Sequence, residues 1–323
     1  MTPAEPAVLL LAIALDLILG DPRWLPHPVV LIGRLVSTLE TTFRKVFRHE
    51  RAAGVLLLIV TAGSSATAAW LLLRVSSTLH PLAGFLTAAL ISYTCLAARS
   101  LQSESALVAD ALVAGNLVEA RRALSFIVGR DTADLDETEI WRALVETVAE
   151  NTSDGIIAPF FWLALGGPVA GITYKAVSTL DSMVGYKNER YLLLGWASAR
   201  MDDLLNFIPA RLAALLMILA APLAGLSPRN SLAITRRDRL NHPSPNSGHP
   251  EAAAAGALGI QLGGTAFYGG RESWKQTIGD PRTPINERAY RGMLKLMYIS
   301  TLIMAALCIA GASAVRGFHV PHL

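Results

Sequence analysis

The sequence predicts an all-α fold, namely a polytopic helical membrane protein with broken or re-entrant helices and a cytoplasmic helical insertion. Three observations support this prediction. Of the 323 residues, 52% are hydrophobic and only 16% are charged, which is too apolar for an ordinary soluble domain. Several uncharged runs approach the length of about 20 residues with which a helix crosses a bilayer. One of these runs is interrupted by prolines and glycines, which break helices.

Composition also argues against some functions. The net charge is +3, but the basic residues are scattered through loops instead of clustering on one amphipathic element, so we expect no nucleic-acid partner. Cys95 and Cys308 lie within apolar runs, where a thiol acts as a small hydrophobe, which argues against redox chemistry. No further Cys or His lies at ligand spacing from His242 and His249, so we expect no zinc site. We expect a single integral membrane domain over residues 1–323, with the lipid bilayer as a partner.

The first part of the chain predicts a short helix and a pair of spans. Residues 7–19 form an apolar run that is too short for a clear span, so we expect a tilted or interfacial helix. Residues 34–51 are basic and amphipathic, and they precede uncharged runs at 52–73 and 82–98, which predict two antiparallel spans. Because basic residues flank this pair on both sides, the positive-inside rule places both flanks in the cytoplasm.

Residues 99–154 predict the cytoplasmic helical insertion. Apolar residues recur at helical spacing, and Gly115-Asn116 and the turn at 129–132 supply helix stops and caps. Acidic residues at 136–139 favour the first turn of the last helix, where the helix dipole stabilises them.

The uncharged run at 155–173 predicts a broken helix, since it contains Pro159 and the central sequence Gly166-Gly167-Pro168. If this run spans the membrane, the basic residues that follow it lie outside and oppose the positive-inside rule. If it is re-entrant, the acidic residues on both sides of it face the cytoplasm. We favour the re-entrant form, because irregular backbone is allowed at membrane depth where it lines a cavity.

Three further apolar segments follow. Residues 212–226 form another apolar run. Residues 252–268 are rich in alanine and glycine, which suits close helix packing or a second re-entrant element. Residues 296–315 predict the last span.

Two acidic clusters flank the broken run. On a helix Glu146, Glu150 and Asp154 fall at positions i, i+4 and i+8 and share one face, with Asn151 beside it. The second cluster comprises Asp202, Asp203 and Asn206. Carboxylates on one helix face repel each other unless they are solvated, paired with bases or bound to a divalent cation beside a phosphorylated ligand. The alternative is a capping aspartate and two solvated helix faces.

Two loops offer further candidate binding residues. Asp21, Arg23 and His27 lie in a proline-rich loop and either face a ligand or cap a turn. In the loop at 236–251, prolines and Ser-Gly turns leave amides unpaired beside arginines. This pattern predicts either an anion-binding nest or a rigid surface loop.

Six stretches follow one another in this order: LDLILGDPRWLPHPVVLIGRL, VGRDTADLDETEI, ETVAENTSDGIIAPFF, YKAVSTLDSMVGYKNERY, ARMDDLLNFIPARL and SPNSGHPEAAAAGALGIQLGG. Together they resemble the adenosylcobinamide-phosphate synthase family of cobalamin biosynthesis. The resemblance extends from about Leu15 to Tyr268, and six linked motifs are more specific than any one alone. The chain departs from the family pattern at Ser178 and His249, so the resemblance assigns no role to these two residues.

The resemblance implies an integral membrane enzyme that joins a propionate of adenosylcobyric acid to the amine of aminopropanol phosphate, or of a related amino-alcohol phosphate, with consumption of ATP. An amide does not form readily from a carboxylate and an amine, so an acyl phosphate or acyl adenylate is expected, with Mg2+ as cofactor. The chain has no GxxxxGK[ST] loop, so the nucleotide site must be built otherwise. We expect the protein in the bacterial cytoplasmic membrane, with its active site facing the cytoplasm. The sequence is compatible with a homo-oligomer.

With this resemblance in hand, we assign the candidate site residues to roles as a hypothesis. The magnesium ligands are Glu150, Asp154, Asp202 and Asp203. The groups that hold phosphate are Arg130, Lys175, Lys187 and Arg211, with Ser244, Asn246 and Ser247 as hydrogen-bond donors. Glu146 or Asp181 takes the proton from the attacking ammonium. Asn151 and Asn206 complete the catalytic set, and Asp21, Arg23 and His27 complete the substrate-binding set.

Two other functions fit the acidic clusters. One is a magnesium-dependent membrane transferase that acts on a lipid diphosphate, for which Asp-Asp-x-x-Asn resembles half of a binding motif. The other is a transporter of an anionic solute, which would use the same broken helices and intramembrane acids. Assays with lipid diphosphates and uptake into sealed vesicles separate these functions from amide formation.

Overall fold

The structure, a computed structural model, describes residues 5–22, 27–186 and 188–317, the last three of these by their backbone alone. Most of the described chain is helical. In chain order the helices are α1 (Pro6–Leu19), α2 (Pro28–Val46), α3 (Glu50–Leu79), α4 (Pro81–Tyr93), α5 (Ala98–Val113), α6 (Leu117–Ser125), α7 (Glu137–Thr152), α8 (Ala158–Val184), α9 (Trp196–Leu205), α10 (Phe207–Ala220), α11 (Pro228–Asp238), α12 (Gly248–Leu258) and α13 (Glu287–Gly317). A π-helical segment (Ser153–Ile157) precedes α8, and strands β1 (Gln261–Tyr268) and β2 (Arg271–Gly279) precede α13.

Four helical segments of the described chain are long and apolar enough to cross a membrane: Glu50–Leu79, Pro81–Val113, Glu137–Val184 and Glu287–Ala314. A fifth is present if α9 and α10 form one broken span. This confirms the predicted fold class, a helical multi-pass membrane protein. The helix expected at 82–98 is interrupted, because α4 ends at Tyr93 and α5 begins at Ala98.

Contacts within the chain group into two compact units. Unit 1 comprises residues 1–97, 158–206 and 305–323, and unit 2 comprises residues 98–157 and 207–304. That the whole chain forms a single domain stays a prediction.

In unit 1, helix α3 packs against α2, α4, α8 and α9, and α1 packs against α4. The contact of α3 with the segment before α9 requires glycine at position 54, because a Cβ there would lie 1.9 Å from the carbonyl oxygen of Leu194. Helix α1 confirms the short helix expected at 7–19, and α2 begins after His27, whose Nδ1 accepts the Val29 N–H at 3.2 Å. His27 therefore caps a helix.

Helix α8 contains the predicted break. Gly166 and Gly167 have non-helical backbone angles, and Gly167 has φ 67°, a left-handed conformation that favours glycine. Pro168 follows directly and cannot donate the N–H that a continuous helix needs. Pro159 does not break the helix, because it lies in its first turn, where a proline is tolerated. A re-entrant path for this segment stays a prediction.

In unit 2, helices α5, α6 and α7 confirm that residues 99–154 are largely helical. Asn116 caps α6 by accepting the Glu119 N–H at 3.1 Å. Asp136 and Glu139 form a capping box at the start of α7, as the acidic residues there indicated. A cytoplasmic location for these helices stays a prediction.

The close helix packing expected over 252–268 is confirmed for residues 252–258, which lie in α12 and pack against α10 and α11. Residues 261–268 differ from that expectation, because they form the first strand of an antiparallel β-hairpin over residues 261–279. Helix α12 ends at Leu258 because Gly259 adopts the left-handed conformation, with φ 69°, that commonly terminates helices. The hairpin turn is Gly269-Gly270, with φ values of 59° and 76°, and two positive φ angles are what a tight type I′ turn requires.

The hairpin tip is held by Asp131, which precedes α7. Its two carboxylate oxygens accept the N–H groups of Gly269 at 3.1 Å and Gly270 at 2.7 Å. The Asp131 N–H in turn donates to the carbonyl oxygen of Phe267 at 2.8 Å. Asp131 therefore clamps the turn from both its side chain and its backbone.

We expect Asp131→Ala to loosen the hairpin without unfolding the protein. Two charge-assisted hydrogen bonds at an exposed site contribute roughly 1–2 kcal/mol, so amide exchange in residues 261–279 should accelerate by about 5- to 30-fold. Hydrogen exchange read by mass spectrometry measures this directly. Asp134→Ala, an exposed neighbour, is the control and should leave hairpin exchange unchanged. Equal exchange in both variants would contradict the clamp.

Candidate functional site

Unit 2 contains a cluster of three glutamates. Glu146 and Glu150 lie one turn apart on α7, and Glu251 lies on α12, which packs against α7. Glu146 and Glu251 are only 5% and 3% exposed, and Glu150 is half-buried. Burial raises the pKa of Glu251 well above its usual value, and the charges of Glu146 and Glu150 raise it further. The environment therefore favours the neutral acid at Glu251.

Glu146 has two structural partners. Its Oε2 accepts a hydrogen bond from Nη2 of Arg130, and its Oε1 accepts the Gly263 N–H at 2.8 Å. Gly263 lies where the hairpin register shifts, with φ 82°, and a Cβ there would lie 2.6 Å from the carbonyl oxygen of Gln276. Because both oxygens are engaged, this geometry argues against Glu146 as proton acceptor. It likewise argues against Arg130 as a phosphate ligand.

Glu150 is held by Ser247, so the structure brings together two residues that we predicted from distant parts of the sequence. The Ser247 hydroxyl donates to Oε1 of Glu150 at 2.7 Å. Among the described residues, this is the one hydrogen bond that the Glu150 carboxylate accepts. Oε2 is therefore available to a ligand.

His242 lies beside Glu251 and Lys275. Its Nδ1 accepts the Ser244 N–H at 3.0 Å. Nε2 is 3.7 Å from Oε1 of Glu251 and 3.1 Å from Nζ of Lys275. Burial lowers the pKa of His242 to about 4, with a further contribution from the charge of Lys275. The imidazole is therefore uncharged at neutral pH.

Three residues in and around the glutamate cluster, namely His242, Glu251 and Lys275, were not predicted as site residues. We considered His242 only as a zinc ligand, and we assigned Glu251 no role. Lys275 gave no signal at all, because it reaches His242 only through the β-hairpin. Glu251 and His242 lie in the predicted loop at 236–251, so its density of polar residues was the one available indication.

The buried Glu251 carboxyl predicts a pH-dependent stability. Folding raises its pKa above the ordinary value of 4.5, so above that pH the folded state keeps a proton that the unfolded state loses. The free energy of unfolding then falls with rising pH, by at most about 1.4 kcal/mol per pH unit, until the folded pKa is reached. Glu251→Gln imitates the neutral acid, and we expect its Tm advantage over the wild type to be larger at about pH 8 than at about pH 5.

The control for this measurement is Glu104→Gln, which removes the same charge from an exposed position of α5. It should show the same Tm difference at both pH values. A Glu251→Gln protein whose Tm differs from the wild type by an equal amount at both pH values would contradict a buried neutral acid.

The loop at 236–251 is not an open anion nest at its serines. Its backbone N–H groups are bonded to neighbouring side chains: Ser244 N–H donates to His242, and the N–H groups of Asn246 and Ser247 donate to the Ser244 hydroxyl at 3.2 and 3.3 Å. The turn closes on itself because short polar side chains can bond backbone groups two or three residues away. Our interpretation of these amides as unpaired was wrong.

Asp154 lies just beyond the helix that carries Glu146 and Glu150. Helix α7 ends at Thr152, and Asp154 is the second residue of the π-helical segment Ser153–Ile157. That the three carboxylates share one face stays a prediction. Asn151 donates from Nδ2 to the Thr147 carbonyl at 2.9 Å and stays on α7.

Unit 1 holds the second acidic cluster. Nδ2 of Asn206 donates to Oδ2 of Asp202 at 2.9 Å, so two residues of the predicted cluster are in contact. The side-chain oxygen Oδ1 of Asn206 accepts a hydrogen bond from the Tyr174 hydroxyl at 2.8 Å, and both Asn206 and Tyr174 are 1% exposed. This buried chain fixes the orientation of the Asp202 carboxylate.

The other predicted residues occupy varied positions. Nε2 of His27 lies 3.3 Å from Oδ1 of Asp21 in unit 1. Lys175 and Asp181 are on α8, Asp203 is on α9, and Arg211 is on α10. Arg23 and Lys187 lie outside the described residues.

No three His, Cys, Asp or Glu side chains of the described residues are arranged to hold a metal ion by themselves. Mg2+ rarely needs such a cage, because one or two carboxylates usually hold it together with substrate phosphates and water. Glu150 fits this role through its available Oε2, whereas Glu146 does not because both of its oxygens are engaged. The Mg2+ ligand assignments stay predictions.

Comparison with known proteins agrees with the motifs. The family model described as CobD/Cbib protein matches residues 9–297. The cobalamin biosynthesis protein CobD of Pelobacter propionicus is 67% identical over 323 residues, which cover 100% of each chain. That of Geobacter metallireducens is 62% identical over 301 residues, or 93% of this chain and 95% of the relative. The protein CbiB of Salmonella typhimurium is 44% identical over 310 residues, or 95% and 97% of the two chains. No solved structure matches.

The matched region contains both acidic clusters and the β-hairpin. The relatives bear names of cobalamin biosynthesis proteins, and they match this chain over nearly its whole length. The family indicated by the six motifs is thus confirmed: the chain belongs to the CobD/CbiB family, the adenosylcobinamide-phosphate synthase family, and has a role in cobalamin biosynthesis.

Proposed function

We propose that the protein is an enzyme that forms an amide between a propionate of adenosylcobyric acid and the amine of an amino-alcohol phosphate, such as aminopropanol phosphate, with consumption of ATP. Membership of the family supports the corrinoid substrate. The residues of unit 2 support the chemistry.

The observation that carries this proposal is the state of Glu150. Of the three clustered glutamates, Glu146 is engaged by Arg130 and Gly263, and Glu251 is buried as a neutral acid. Glu150 is half-buried, oriented by Ser247 and open at Oε2. A carboxylate in this position attracts an ammonium group and can accept its proton.

The amide forms by attack of the amine on an activated carboxyl group. The substrate nitrogen arrives as an ammonium group, and Glu150 accepts one proton so that the nitrogen has a free lone pair. The amine attacks the carbonyl carbon of the acyl phosphate or acyl adenylate formed with ATP. The new C–N bond forms as the C–O bond to the phosphoryl or adenylyl group breaks. The second proton leaves the nitrogen with the released phosphate or AMP.

Magnesium would neutralise charge on the phosphate groups of ATP when it is bound. Because Glu150 is the proton acceptor in this proposal and a metal-bound carboxylate is a poor base, we propose Asp154 as the candidate Mg2+ ligand of unit 2. In unit 1 the candidates are Asp202, which Asn206 orients, and Asp203 beside it. Either unit supplies the one or two carboxylates that Mg2+ usually takes from a protein.

We propose the bacterial cytoplasmic membrane as the location, with the active site on its cytoplasmic side. Two facts support this proposal. The chain is a multi-pass membrane protein, and the basic residues that flank α3 and α4 favour the cytoplasm for those flanks.

A reconstitution assay tests the proposed function. Purified full-length protein in detergent is incubated with adenosylcobyric acid, aminopropanol phosphate, ATP and Mg2+, and the products are weighed by mass spectrometry. We expect a corrinoid heavier than the substrate by the amino-alcohol phosphate less one water, and no product when ATP or Mg2+ is omitted. Product without ATP would refute the activation step, and no product with all components would refute the function.

A further inference from the structure

Arg211, Arg239 and His249 form a basic cluster where three helices of unit 2 meet. Arg211 lies near the start of α10, Arg239 directly follows α11, and His249 lies in the first turn of α12. These three helices pack against one another. The backbone of Arg239 lies against the residue before His249, because a Cβ at Gly248 would be 2.5 Å from the Arg239 carbonyl oxygen.

No carboxylate neutralises this cluster. Among the described residues, no ion pair includes Arg211 or Arg239. The acid next to Arg239 in sequence is Asp238, and it is engaged elsewhere: Arg237 donates two hydrogen bonds to it, at 2.7 and 2.8 Å, and Gly279 N–H donates a third at 2.8 Å.

Each guanidinium group keeps most of its donors for a ligand. Arg211 donates to the Phe207 carbonyl and stacks on that ring, and Arg239 donates from Nη1 to the Arg236 carbonyl at 2.8 Å. An arginine has five N–H donors, so four on each side chain have no acceptor among the described residues. Two positive charges that repel each other are stabilised when an anion lies between them.

His249 adds an unsatisfied polar atom to the cluster. Its side chain is buried, with 4% exposure, and its Nε2 has no hydrogen-bond partner among the described residues. Burial and the charges of Arg211 and Arg239 together lower the pKa of His249 to about 4, so the ring is neutral at physiological pH. An orphaned buried nitrogen beside two unpaired guanidinium groups indicates a ligand that brings hydrogen-bonding oxygens.

The basic cluster is linked to Glu150 through Ser247. Ser247, which donates to Glu150, is two residues before His249, and residues at that separation have Cα atoms at most about 7.6 Å apart. The positive end of the α12 dipole also lies at this point and favours an anion. Unit 2 thus places Ser247, which binds Glu150, and His249 of the basic cluster at the start of one helix.

We propose that Arg211, Arg239 and His249 bind the phosphate of a phosphate monoester that also carries an ammonium group, which lies at Glu150. This inference rests on the proposed function only for the identity of the natural ligand. The site itself is inferred from the Glu150 carboxylate and the guanidinium groups of Arg211 and Arg239. It includes Arg239 and His249, which the sequence did not single out as phosphate ligands, and it excludes Arg130, which Glu146 engages.

A pair of ligands separates the two ends of the site. O-phosphoethanolamine carries both groups, whereas ethyl phosphate lacks the ammonium group. We expect the detergent-solubilised full-length protein, without corrinoid or ATP, to bind O-phosphoethanolamine at least about 10-fold more tightly than ethyl phosphate in isothermal titration calorimetry, as an added charge-assisted contact implies. Equal affinities would overturn the pairing of Glu150 with the basic cluster.

Single substitutions test which residues bind the phosphate and which residue binds the ammonium group. Arg239→Gln and His249→Gln should each weaken both ligands by about 10-fold or more, whereas Glu150→Gln should remove only the preference for O-phosphoethanolamine. Arg236→Gln is the matched control, because Arg236 is an exposed arginine in the last turn of α11, three residues before Arg239, and forms no ion pair among the described residues. This variant should bind both ligands as the wild type does. Wild-type binding of both ligands by Arg239→Gln and His249→Gln would overturn the site.

A measurement on the wild type covers the case in which these variants do not fold. Phenylglyoxal modifies exposed guanidinium groups, and peptide mass spectrometry reads each arginine separately. O-Phosphoethanolamine should protect Arg211 and Arg239 but not Arg236, and lack of protection would overturn the site. Protection by dihexanoyl-phosphatidylethanolamine alone would assign the cluster to a lipid head group and overturn the soluble ligand. If the ligand protects but the amide assay yields no product, the site stands and the proposed function fails.

Discussion

Replacing Glu150 with glutamine is expected to lower the rate of amide formation by about 10²- to 10⁴-fold, which is the usual contribution of a positioned general base. Glutamine keeps the size of the side chain and the carbonyl oxygen that accepts the Ser247 hydroxyl, so the local packing should survive. It cannot take a proton from an ammonium group. The loss should therefore appear in kcat with the protein still folded, as measured by product formation under saturating substrates.

Two further variants make the Glu150 result specific. Glu150→Asp keeps a carboxylate and should recover part of the activity, most clearly at higher pH, where more of the amine is already deprotonated. Glu104→Gln removes an equal charge from an exposed position of α5 and should leave the rate unchanged. A Glu150→Gln enzyme with the wild-type rate at all pH values would show that another group accepts the proton.

Local sequence signals predicted much of the helical fold. The capping box at α7 uses Asp136 and Glu139, which are only three residues apart, so its chemistry is visible in the sequence. The break at Gly166 and Gly167 is equally local, because it depends on one glycine that adopts positive φ and on the proline after it. The long apolar runs predicted membrane helices because lipid imposes a length and a composition on each span.

The β-hairpin could not be predicted in the same way. Its strand β1 follows an alanine-rich helix without a polar boundary, and the only local indications are glycines that also suit close helix packing. What stabilises the hairpin lies far away in sequence: Asp131 binds its tip and Glu146 binds Gly263 near its base. Such contacts between distant segments leave no periodic pattern in either one.

The candidate site was predicted only in part, because it too depends on contacts between distant segments. Glu150 and Ser247 were both identified as site residues, but each for its own local pattern, and the bond between them is a result of the fold. The π-helical segment that contains Asp154 was not predicted, because a change of helix type is not encoded in carboxylate spacing. Arg130 and Glu146, which we placed in the chemistry, form a buried pair, and Glu146 also binds the hairpin. Their roles in the chemistry stay predictions.

The buried Arg130–Glu146 pair is expected to contribute strongly to the stability of the protein. Arg130→Ala is expected to destabilise the protein by about 3–5 kcal/mol, because it leaves the Glu146 carboxylate buried without its counter-charge. The two side chains are only 11% and 6% exposed, so water cannot replace the lost partner. The Gly263 N–H remains on Glu146 and limits the loss, but one backbone donor does not neutralise a charge. Thermal unfolding of the detergent-solubilised protein should show a drop in Tm of roughly 5–15 °C.

The double variant Arg130→Met/Glu146→Gln decides whether the charge or the contact matters. It removes both charges, keeps apolar volume at position 130 and leaves an amide oxygen for the Gly263 N–H, so it should recover most of the lost Tm. The same double variant tests the division of roles among the glutamates, because it leaves Glu150 and Ser247 untouched. Amide formation in the stabilised double variant should remain within about 10-fold of the wild type, a smaller loss than removal of a general base causes. A folded double variant as inactive as Glu150→Gln would instead place Glu146 in the chemistry, as its position on the shared helix face first indicated.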